Sequence, residues 1–472
     1  MPSSLLSSSD ELRVYDNILE TVGKTPLVRL NRVAHSAGCP VYAKIEFMNP
    51  GGSVKDRIGT NMIAEAEVSG RLKPGGTVVE STSGNTGVGL AITCAIKGYK
   101  AVFVMPDKMS QEKIQLLRAF GAKVVITPTA VAPEDPRSYY SVANRIVAET
   151  PNAILANQYH NPENPHSHYL TTGPEIWEQT RGKVTDVVVG MGTGGTISGV
   201  GKYLKERNPE VRMVGVDPTG SILLETWQAG KVPDDVEATT YKVEGIGEDF
   251  LPSALDLSII DQILRVTDRE SFLWTRRMVK EEGIFCGGSS GAAVAAAVRY
   301  AQDLDPDRLV VVVLPDSGTR YLSKVFDDKW MRENGFLEIN WGEVSLQELL
   351  EIKTGPDLVC APLDMRMGEL IDQMKDYDIS QVPALNTDGT LAGIVTEVDL
   401  LEHMLDAGHE HSESETIAAI AQPAEAVFSV STSLEEALPA VMDGNVILVT
   451  EGDHPVGILT KIDMLDYIAG KN

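Results

Sequence analysis

Short apolar runs rich in β-branched residues recur from about residue 25 to residue 335. They are "TVVE" (77–80), "AVFVM" (101–105), "KVVIT" (123–127), "DVVVG" (186–190), "RMVGVD" (212–217) and "LVVVVLP" (309–315). Runs without polar alternation belong in sheets that are covered on both faces. Because helical patterns separate the runs, the sequence predicts an α/β fold with a largely parallel sheet. Ligands of such a fold bind at the carboxyl ends of the strands.

The last quarter of the chain contains an internal repeat. "GIVTEVDLLEHML" (393–405) is similar to "GILTKIDMLDYIA" (457–469), and each copy predicts a strand ending in Thr, a turn, an Asp and an apolar helix. Paired units of this kind bury a core against each other. An acidic stretch containing Gly and Pro precedes them. We predict four segments: a short N-terminal extension (1–17), a main domain (18–338), a linker (339–358) and a paired-repeat domain of α+β type (359–472).

Charge and cysteine content exclude several functions. The formal net charge is −26 over 472 residues, which disfavours binding to nucleic acid or to an anionic membrane surface. No apolar run approaches the ~18 residues of a membrane span. The N-terminal sequence lacks a basic region followed by an apolar block, so we expect no secretory signal and a cytoplasmic location. The four cysteines form no CxxC pair, and we expect neither disulfides nor a metal site.

Three glycine-rich loops follow predicted strands and precede helical patterns. "STSGNTG" (81–87) offers hydroxyls and backbone N–H groups suited to a carboxylate or a phosphate. A capped tight turn is the alternative, but one cap residue would suffice for it. "GMGTGGTISG" (190–199) resembles a weak dinucleotide motif, yet its compact, Thr-rich form fits a single phosphate better. In "CGGSSG" (286–291) a helix cap would explain a serine but not the glycine pair.

Lys55 lies in "NPGGSVKDRIG" (49–59), directly before a predicted helix. On this string alone, an exposed ion pair of Lys55 and Asp56 is the simpler interpretation. Sites for a phosphate and a carboxylate elsewhere in the chain favour another one, an aldehyde cofactor that carries a phosphate. A lysine forms a Schiff base with such a cofactor if burial and nearby positive charge keep its amine neutral.

Together and in this order, the motifs resemble those of the fold-type II pyridoxal-phosphate enzymes of the β-family, which are similar to the tryptophan synthase β subunit. "QYHNPENP" (158–165), "GVDPTGSI" (215–222), "VEGIGEDFLP" (243–252) and "DKWMRENGFL" (328–337) are most similar to the cystathionine β-synthase family. The C-terminal repeats resemble the tandem CBS-repeat pair, or Bateman module, which often binds adenosyl ligands.

The resemblance implies a role for each matching residue. Lys55 would bind the cofactor, pyridoxal 5′-phosphate, and then act as acid and base. Asn85 would contact the ring hydroxyl, and Ser289 the pyridine nitrogen. The phosphate would be held by Gly192, Thr193, Gly194, Gly195 and Thr196. Thr82, Ser83, Thr86 and Gln158 would hold the amino-acid carboxylate, with Tyr159 and Gly245 lining the site.

The implied reaction is β-replacement, in which L-homocysteine displaces the hydroxyl of L-serine to give L-cystathionine, a step of transsulfuration and cysteine biosynthesis. Side reactions that produce hydrogen sulfide belong to the same chemistry. The resemblance also implies a homodimer or homotetramer. Two alternatives stay open. One is an O-acetylserine sulfhydrylase or an O-acetylserine-using cystathionine synthase, and the other is an adenosyl-sensing module with an inactive enzyme domain.

This sequence departs from the family pattern at two places. Glu248 stands where the animal and fungal enzymes carry Tyr, and its carboxylate would contact the homocysteine amino group or face water. The haem-binding segment of the animal enzymes is absent, so we expect no haem. In the repeats, Thr396 and Asp399, and likewise Thr460 and Asp463, match residues that contact an adenosyl ligand such as S-adenosylmethionine. Each Asp would alternatively cap its own helix.

Overall fold

The computed structural model describes residues 14–82, 84–107, 109, 111–128, 131, 135–337, 341–342, 344–353, 358–405, 415–444 and 446–469. Most of the predicted N-terminal extension lies outside these residues. The chain divides into two compact units, Met1–Leu337 and Glu338–Asn472. None of the described helices combines the length and the apolar character needed to cross a membrane.

The first unit alternates strands and helices along most of its length. Its described strands are β1 (Leu27–Arg29), β2 (Val41–Ile45), β3 (Thr77–Ser81), β4 (Lys100–Pro106), β5 (Lys123–Thr127), β6 (Ala153–Leu155), β7 (Asp186–Gly190), β8 (Arg212–Pro218), β9 (Gln262–Val266) and β10 (Val310–Leu314). Its described helices are α1 (Lys55–Val68), α2 (Asn85–Lys97), α3 (Gln111–Ala119), α4 (Tyr139–Glu149), α5 (Glu163–Leu170), α6 (Thr172–Gln179), α7 (Gly195–Arg207), α8 (Leu223–Ala229), α9 (Asp268–Glu282), α10 (Gly288–Ala301) and α11 (Asp328–Glu333).

These strands form two sheets. One has the order β1-β2-β10-β7-β8-β9 and is parallel except for β1, and the other has the order β5-β4-β3-β6 and is parallel throughout. Each of the six apolar runs lies almost entirely within one of these strands, and the predicted α/β fold with parallel sheets is confirmed. β10 shows why the run is continuous, since all five of its residues are buried under helices.

Close packing of α1 and α2 brings the starts of the two helices together. A Cβ atom built on Gly59 would lie 2.5 Å from the backbone of Gly89, and one built on Gly89 would lie 2.5 Å from the carbonyl oxygen of Lys55. Only residues without a side chain allow this approach. The helix contact therefore places Lys55, at the start of α1, beside the loop that leads into α2.

The second unit contains the two repeats. Its described elements are α12 (Leu346–Ile352), β11 (Ala361–Pro362), α13 (Met367–Tyr377), β12 (Gln381–Leu385), β13 (Leu391–Thr396), α14 (Glu397–Leu405), β14 (Val427–Ser429), α15 (Leu434–Met442), β15 (Ile447–Glu451), β16 (His454–Leu459) and α16 (Lys461–Ala469). Strands β11-β12-β13 form one sheet and β14-β15-β16 the other. Each repeat thus has the predicted strand followed by a helix. The region predicted as a linker contains α12, whose Leu346 and Leu349 pack into the core of the second repeat.

Candidate active site

Lys55 begins α1 at the end of a loop that is tied to strand β10. The Val54 N–H donates to the Pro315 carbonyl at 2.8 Å, and Ser53 pairs with Asp316. The Lys55 side chain is half-buried and borders a cavity at the carboxyl ends of β7 and β10. Burial lowers the pKa of its amine, although the charges of Glu248 and Asp316 oppose the shift. A lysine in this setting loses its proton more easily than an exposed one, so the exposed ion pair is not what the structure shows.

The glycine- and threonine-rich loop 190–196 lines the same cavity and leads from β7 into α7. Gly194 has φ +80°, and a Cβ atom there would lie 2.3 Å from that of Leu255. Gly195 starts the helix, and a Cβ atom there would lie 1.9 Å from the Asn164 side-chain oxygen. Bare N–H groups at the start of a helix favour an anion. The loop thus has the shape and polarity that a phosphate requires.

Two residues that the sequence analysis missed hold the threonines of this loop. The Asn164 side-chain amide donates to the Thr193 hydroxyl at 2.9 Å. The Thr196 hydroxyl lies 3.2 Å from Nε2 of His168, whose Nδ1 contacts Thr172. Burial lowers the pKa of His168 well below its ordinary value, so the ring is neutral. Neither residue belongs to a glycine-rich motif. Asn164 lies in "QYHNPENP" (158–165) but was given no role, and no pattern marked His168.

Asn85, the first residue of α2, is fixed on both sides of its amide. Its Nδ2 donates to an Asp316 carboxylate oxygen at 2.9 Å, and the Arg320 guanidinium donates to its Oδ1. Tyr321 donates to the same Asp316 oxygen at 2.7 Å. These bonds fix the orientation of the Asn85 amide, which the family resemblance implies as a contact to the ring hydroxyl of the cofactor. The sequence analysis did not identify Asp316 or Arg320, because they lie far along the chain from Asn85.

Ser289 lies in the first turn of α10. It is buried, and its hydroxyl oxygen lies 4.0 Å from the position of a Cβ atom built on Gly245. Gly245 itself lines the cavity together with Lys55. The structure therefore places the third glycine-rich loop next to a residue that lines the cavity.

The residues assigned to the substrate carboxylate meet at the edge of the four-stranded sheet. The Gly84 N–H donates to the Thr82 hydroxyl at 3.2 Å, and the Thr86 hydroxyl donates to the Gln158 side-chain oxygen. Ser83 lies outside the described residues. Buried Glu80, which the sequence analysis missed, accepts the Gln158 N–H at 3.2 Å, and burial raises its pKa to about 7. The structure thus brings Thr86 into contact with Gln158 and places Thr82 directly after β3, in the segment that leads to Thr86.

Glu248 lies at the rim of the cavity. Its Oε1 is 3.7 Å from the position of a Cβ atom built on Gly192. Tyr159 is among the groups that act on this carboxyl, and its ring packs edge-on against Phe250 with 5.2 Å between the ring centroids. The side chain is half-buried rather than fully exposed to water. Burial, with the neighbouring charge of Asp249, raises the pKa of Glu248 to about 8.

An ion-pair cluster connects α3 and Lys324 to the residue before Gly245. Lys113 of α3 donates to the Glu244 carboxylate, which Lys324 also contacts at 2.7 Å. The Lys113 side chain lies 3.7 Å from the position of a Cβ atom built on Gly84. Glu244 directly precedes Gly245. This bridge was not predicted, because lone charges on a helix carry no motif.

The two Thr–Asp pairs of the second unit have the same local geometry. Asp399 accepts hydrogen bonds from the Thr396 N–H at 2.7 Å and from its hydroxyl at 2.6 Å, and Asp463 accepts the equivalent pair from Thr460, both at 2.7 Å. Each Asp thus binds the turn before its own helix. The pairs differ in one respect, because the Lys353 ammonium contacts Asp463 at 3.2 Å.

Comparison with known proteins covers both units. The family model "Pyridoxal-phosphate dependent enzyme" matches residues 18–316, and the model "CBS domain" matches residues 350–406 and 417–470. A cystathionine beta-synthase of Dictyostelium discoideum is 40% identical over 467 residues, which cover 96% of this chain and 92% of the relative. One of Saccharomyces cerevisiae is 37% identical over 505 residues, 96% of this chain and 98% of the relative. A cysteine synthase of Staphylococcus aureus is 45% identical over 317 residues, 66% of this chain and 98% of the relative.

Proposed function

Because this chain belongs to the cystathionine β-synthase family of pyridoxal-phosphate dependent enzymes, we propose that it condenses L-serine with L-homocysteine to form L-cystathionine and water. One structural observation carries the proposal. Lys55 and residues of the loop 190–196 line one cavity, which brings a reactive amine together with the proposed phosphate-binding loop.

The residues around the cavity fit pyridoxal phosphate. The loop 192–196 has backbone N–H groups at the start of α7, which favour an anion, and its glycines allow close packing against Gly245, Leu255 and Asn164. The lowered pKa of Lys55 suits an amine that must react with an aldehyde. Asn85 and Ser289 are the proposed contacts to the ring, and Asp316 and Arg320 keep the Asn85 amide in one orientation.

The remaining residues handle the substrate. Bound pyridoxal phosphate supplies an electron sink that stabilises negative charge at the Cα atom of the amino acid. Lys55 removes the Cα proton and later returns it. Thr82, Thr86 and Gln158, together with the loop N–H groups, are the proposed carboxylate site. Tyr159 narrows the space beside them. Binding of the carboxylate fixes the Cα–H bond relative to the lysine amine, which lowers the entropic cost of proton transfer.

The similarity to a cysteine synthase favours one competing function. That function uses O-acetylserine, whose acetate leaves readily, and takes sulfide or homocysteine as the nucleophile. The two functions share Lys55, Asn85 and Ser289 and differ in how the leaving group and the nucleophile are accommodated. Residues 245–248 and Tyr159 are where we expect the difference to lie.

An assay with two substrate pairs separates these functions. Purified full-length protein saturated with pyridoxal phosphate is incubated with serine and homocysteine, or with O-acetylserine and sulfide. We expect cystathionine from the first pair at a rate at least comparable to that of cysteine formation from the second, measured by mass spectrometry of the products. Turnover of the second pair alone would contradict the proposed function.

The second unit is the proposed site of an adenosyl ligand such as S-adenosylmethionine, held by one of the two Thr–Asp pairs. In the second repeat, Lys353 donates to the Ile458 carbonyl at 2.8 Å and lies on the Asp463 carboxylate. The Lys353 ammonium therefore contacts the carboxylate to which the ribose hydroxyls of an adenosyl ligand would donate hydrogen bonds. A ligand at this position must displace the lysine, whereas Asp399 has no corresponding lysine contact among the described residues.

Replacing Lys353 with Met is expected to raise the affinity for S-adenosylmethionine about threefold to fivefold. A partly exposed ion pair contributes about 1 kcal/mol or less, which corresponds to a factor of this size. Isothermal titration calorimetry of the full-length protein measures the Kd. Lys461→Met, which removes an exposed lysine next to Thr460, is the matched control and should leave the Kd unchanged. An unchanged Kd in Lys353→Met would contradict the proposed competition.

Several expectations from the sequence stay predictions. They are the absence of haem, the homodimeric or homotetrameric state, the cytoplasmic location, the absence of nucleic-acid and membrane partners, and the segment boundaries 1–17, 18–338, 339–358 and 359–472. The individual roles of the site residues, including those of the repeats, are part of the proposal.

A further inference from the structure

Glu248 is held by its backbone at the rim of the cavity. Its N–H donates to the Ser221 hydroxyl at 3.0 Å, and its carbonyl accepts the Ile222 N–H at 3.0 Å and the Ser221 hydroxyl at 3.1 Å. These bonds fix the start of its side chain. The carboxylate then extends over Gly192, which lines the same cavity as Lys55. A substrate whose Cα atom is within reach of the lysine would therefore have Glu248 near by.

The electrostatic environment makes Lys55 and Glu248 complementary. Among the charges that act on Lys55, that of Glu248 has the largest effect. Burial lowers the pKa of Lys55, and burial together with Asp249 raises the pKa of Glu248 to about 8. Lys55, Tyr159 and Asp217 also act on this carboxyl, which in turn acts on Tyr139, Tyr140 and Tyr241. A pair of groups whose pKa values are shifted in opposite directions is the usual arrangement of an acid and a base.

The chemistry of serine calls for such a pair. Hydroxide is a poor leaving group and departs readily only as water, which needs a proton. Lys55 takes up the Cα proton in the proposed reaction, so a second group is available to protonate the oxygen. On the basis of the proposed function, we propose that the Glu248 carboxyl donates its proton to the departing serine hydroxyl.

The steps balance without another reactant. The Cα proton moves to Nζ of Lys55, and its electron pair forms the Cα–Cβ double bond. The Cβ–O bond breaks with its pair on oxygen, which takes the Glu248 proton and leaves as water. Homocysteine adds as its thiolate, whose proton has gone to water: sulfur bonds to Cβ, Lys55 returns its proton to Cα, and the Glu248 carboxylate takes up a proton from water. Both side chains then have their starting protonation.

Glu248→Gln keeps the shape of the side chain and removes its acid. We expect it to slow turnover of serine with homocysteine at least about 100-fold, the usual scale of a positioned general acid. Turnover of O-acetylserine with the same nucleophile should change by less than about threefold, because acetate leaves without a proton. Exchange of the serine Cα hydrogen in heavy water, followed by mass spectrometry, should persist, since Lys55 performs it.

Two further variants control for structural damage. Glu237→Gln makes the same substitution on an exposed loop, and its turnover rate should equal that of the unmodified protein with each substrate. Glu248→Asp retains an acid and should recover part of the serine activity lost in Glu248→Gln. If Glu248→Gln does not fold, Glu248→Asp still tests the proposal. Its shorter side chain should slow turnover of serine more than turnover of O-acetylserine.

The outcomes distinguish this proposal from the proposed function. If the unmodified protein uses O-acetylserine but not serine, the proposed function is wrong. If it uses serine and Glu248→Gln does so equally well, the assignment of Glu248 is wrong. A raised KM for homocysteine with both first substrates, at unchanged kcat, would also overturn the assignment, because it would place the carboxylate on the homocysteine amino group instead.

Discussion

Replacing Lys55 with Ala is expected to abolish turnover, by at least about 1000-fold, together with the visible absorbance of lysine-bound pyridoxal phosphate. The amine is the proposed covalent contact to the cofactor and also the proposed base, and general acid–base transfer alone contributes about 10²–10⁴-fold. Absorption spectra of the purified protein and product analysis by mass spectrometry measure the two effects.

Lys202→Ala is the matched control for this change. Lys202 is an exposed lysine on α7, the helix that begins at the phosphate-binding loop. The control should retain both the absorbance and the turnover. If Lys55→Ala also retained them, Lys55 would not be the proposed lysine, and the interpretation of the cavity would be wrong. If Lys55→Ala lost the absorbance but kept turnover, its role as base would be contradicted.

The apolar runs predicted six of the ten described strands in the two sheets of the first unit, but they did not predict which strands pair. β2 was missed because Lys44 interrupts its apolar pattern, although that lysine is fully buried in an ion pair. β9 was missed because Gln262 and Arg265 make it look like a loop. Division into two sheets depends on contacts between distant segments, such as the pairing of β2 with β10. Local patterns carry no information about those contacts.

Sequence patterns also missed the residues of the candidate active site that act through contacts between distant segments. Lys55 and the glycine-rich loops could be found because several unusual residues occur together in each string. Asp316 and Arg320 act on Asn85 from 231 and 235 positions away and have no motif of their own. Glu248 was identified only because it departs from a family pattern, and its half-buried position and raised pKa depend on packing. Residues that position others are therefore the part of the site that sequence reasoning leaves out.

A buried ion network follows Lys55 directly in the chain. Arg57 donates to Glu46 at 2.7 and 2.9 Å and to Glu175 at 2.7 and 2.8 Å. Lys44 donates to Glu175 at 2.6 Å, and Thr25 donates to Glu46 at 2.6 Å. The side chains of Arg57 and Glu46 are essentially inaccessible to water. The network fastens α1, and with it Lys55, to β2 and α6.

Replacing Arg57 with Met is expected to lower the free energy of unfolding of the first unit by about 3–5 kcal/mol, because Glu46 would be left as a buried, uncompensated charge. Denaturant unfolding followed by tryptophan fluorescence measures the change. Four of the five tryptophans (Trp177, Trp227, Trp274 and Trp330) lie in this unit, so the signal reports mainly on it. A loss below about 1 kcal/mol would contradict this account.

Acid pH and a surface control test the same network. Burial alone would raise the pKa of Glu175, but hydrogen bonding to Arg57 outweighs it and lowers the pKa to about 2 from 4.5. A carboxylate with a depressed pKa stabilises the fold above pH 4.5, and this contribution is lost as the pH falls toward 2. The unmodified protein should lose stability across that window, and Arg57→Met should lose less because much of the contribution is already gone.

Arg71→Met, which removes an exposed ion pair with Glu65 just after α1, should change stability by less than about 0.5 kcal/mol. Equal losses in Arg57→Met and Arg71→Met would mean that burial does not govern the strength of these ion pairs.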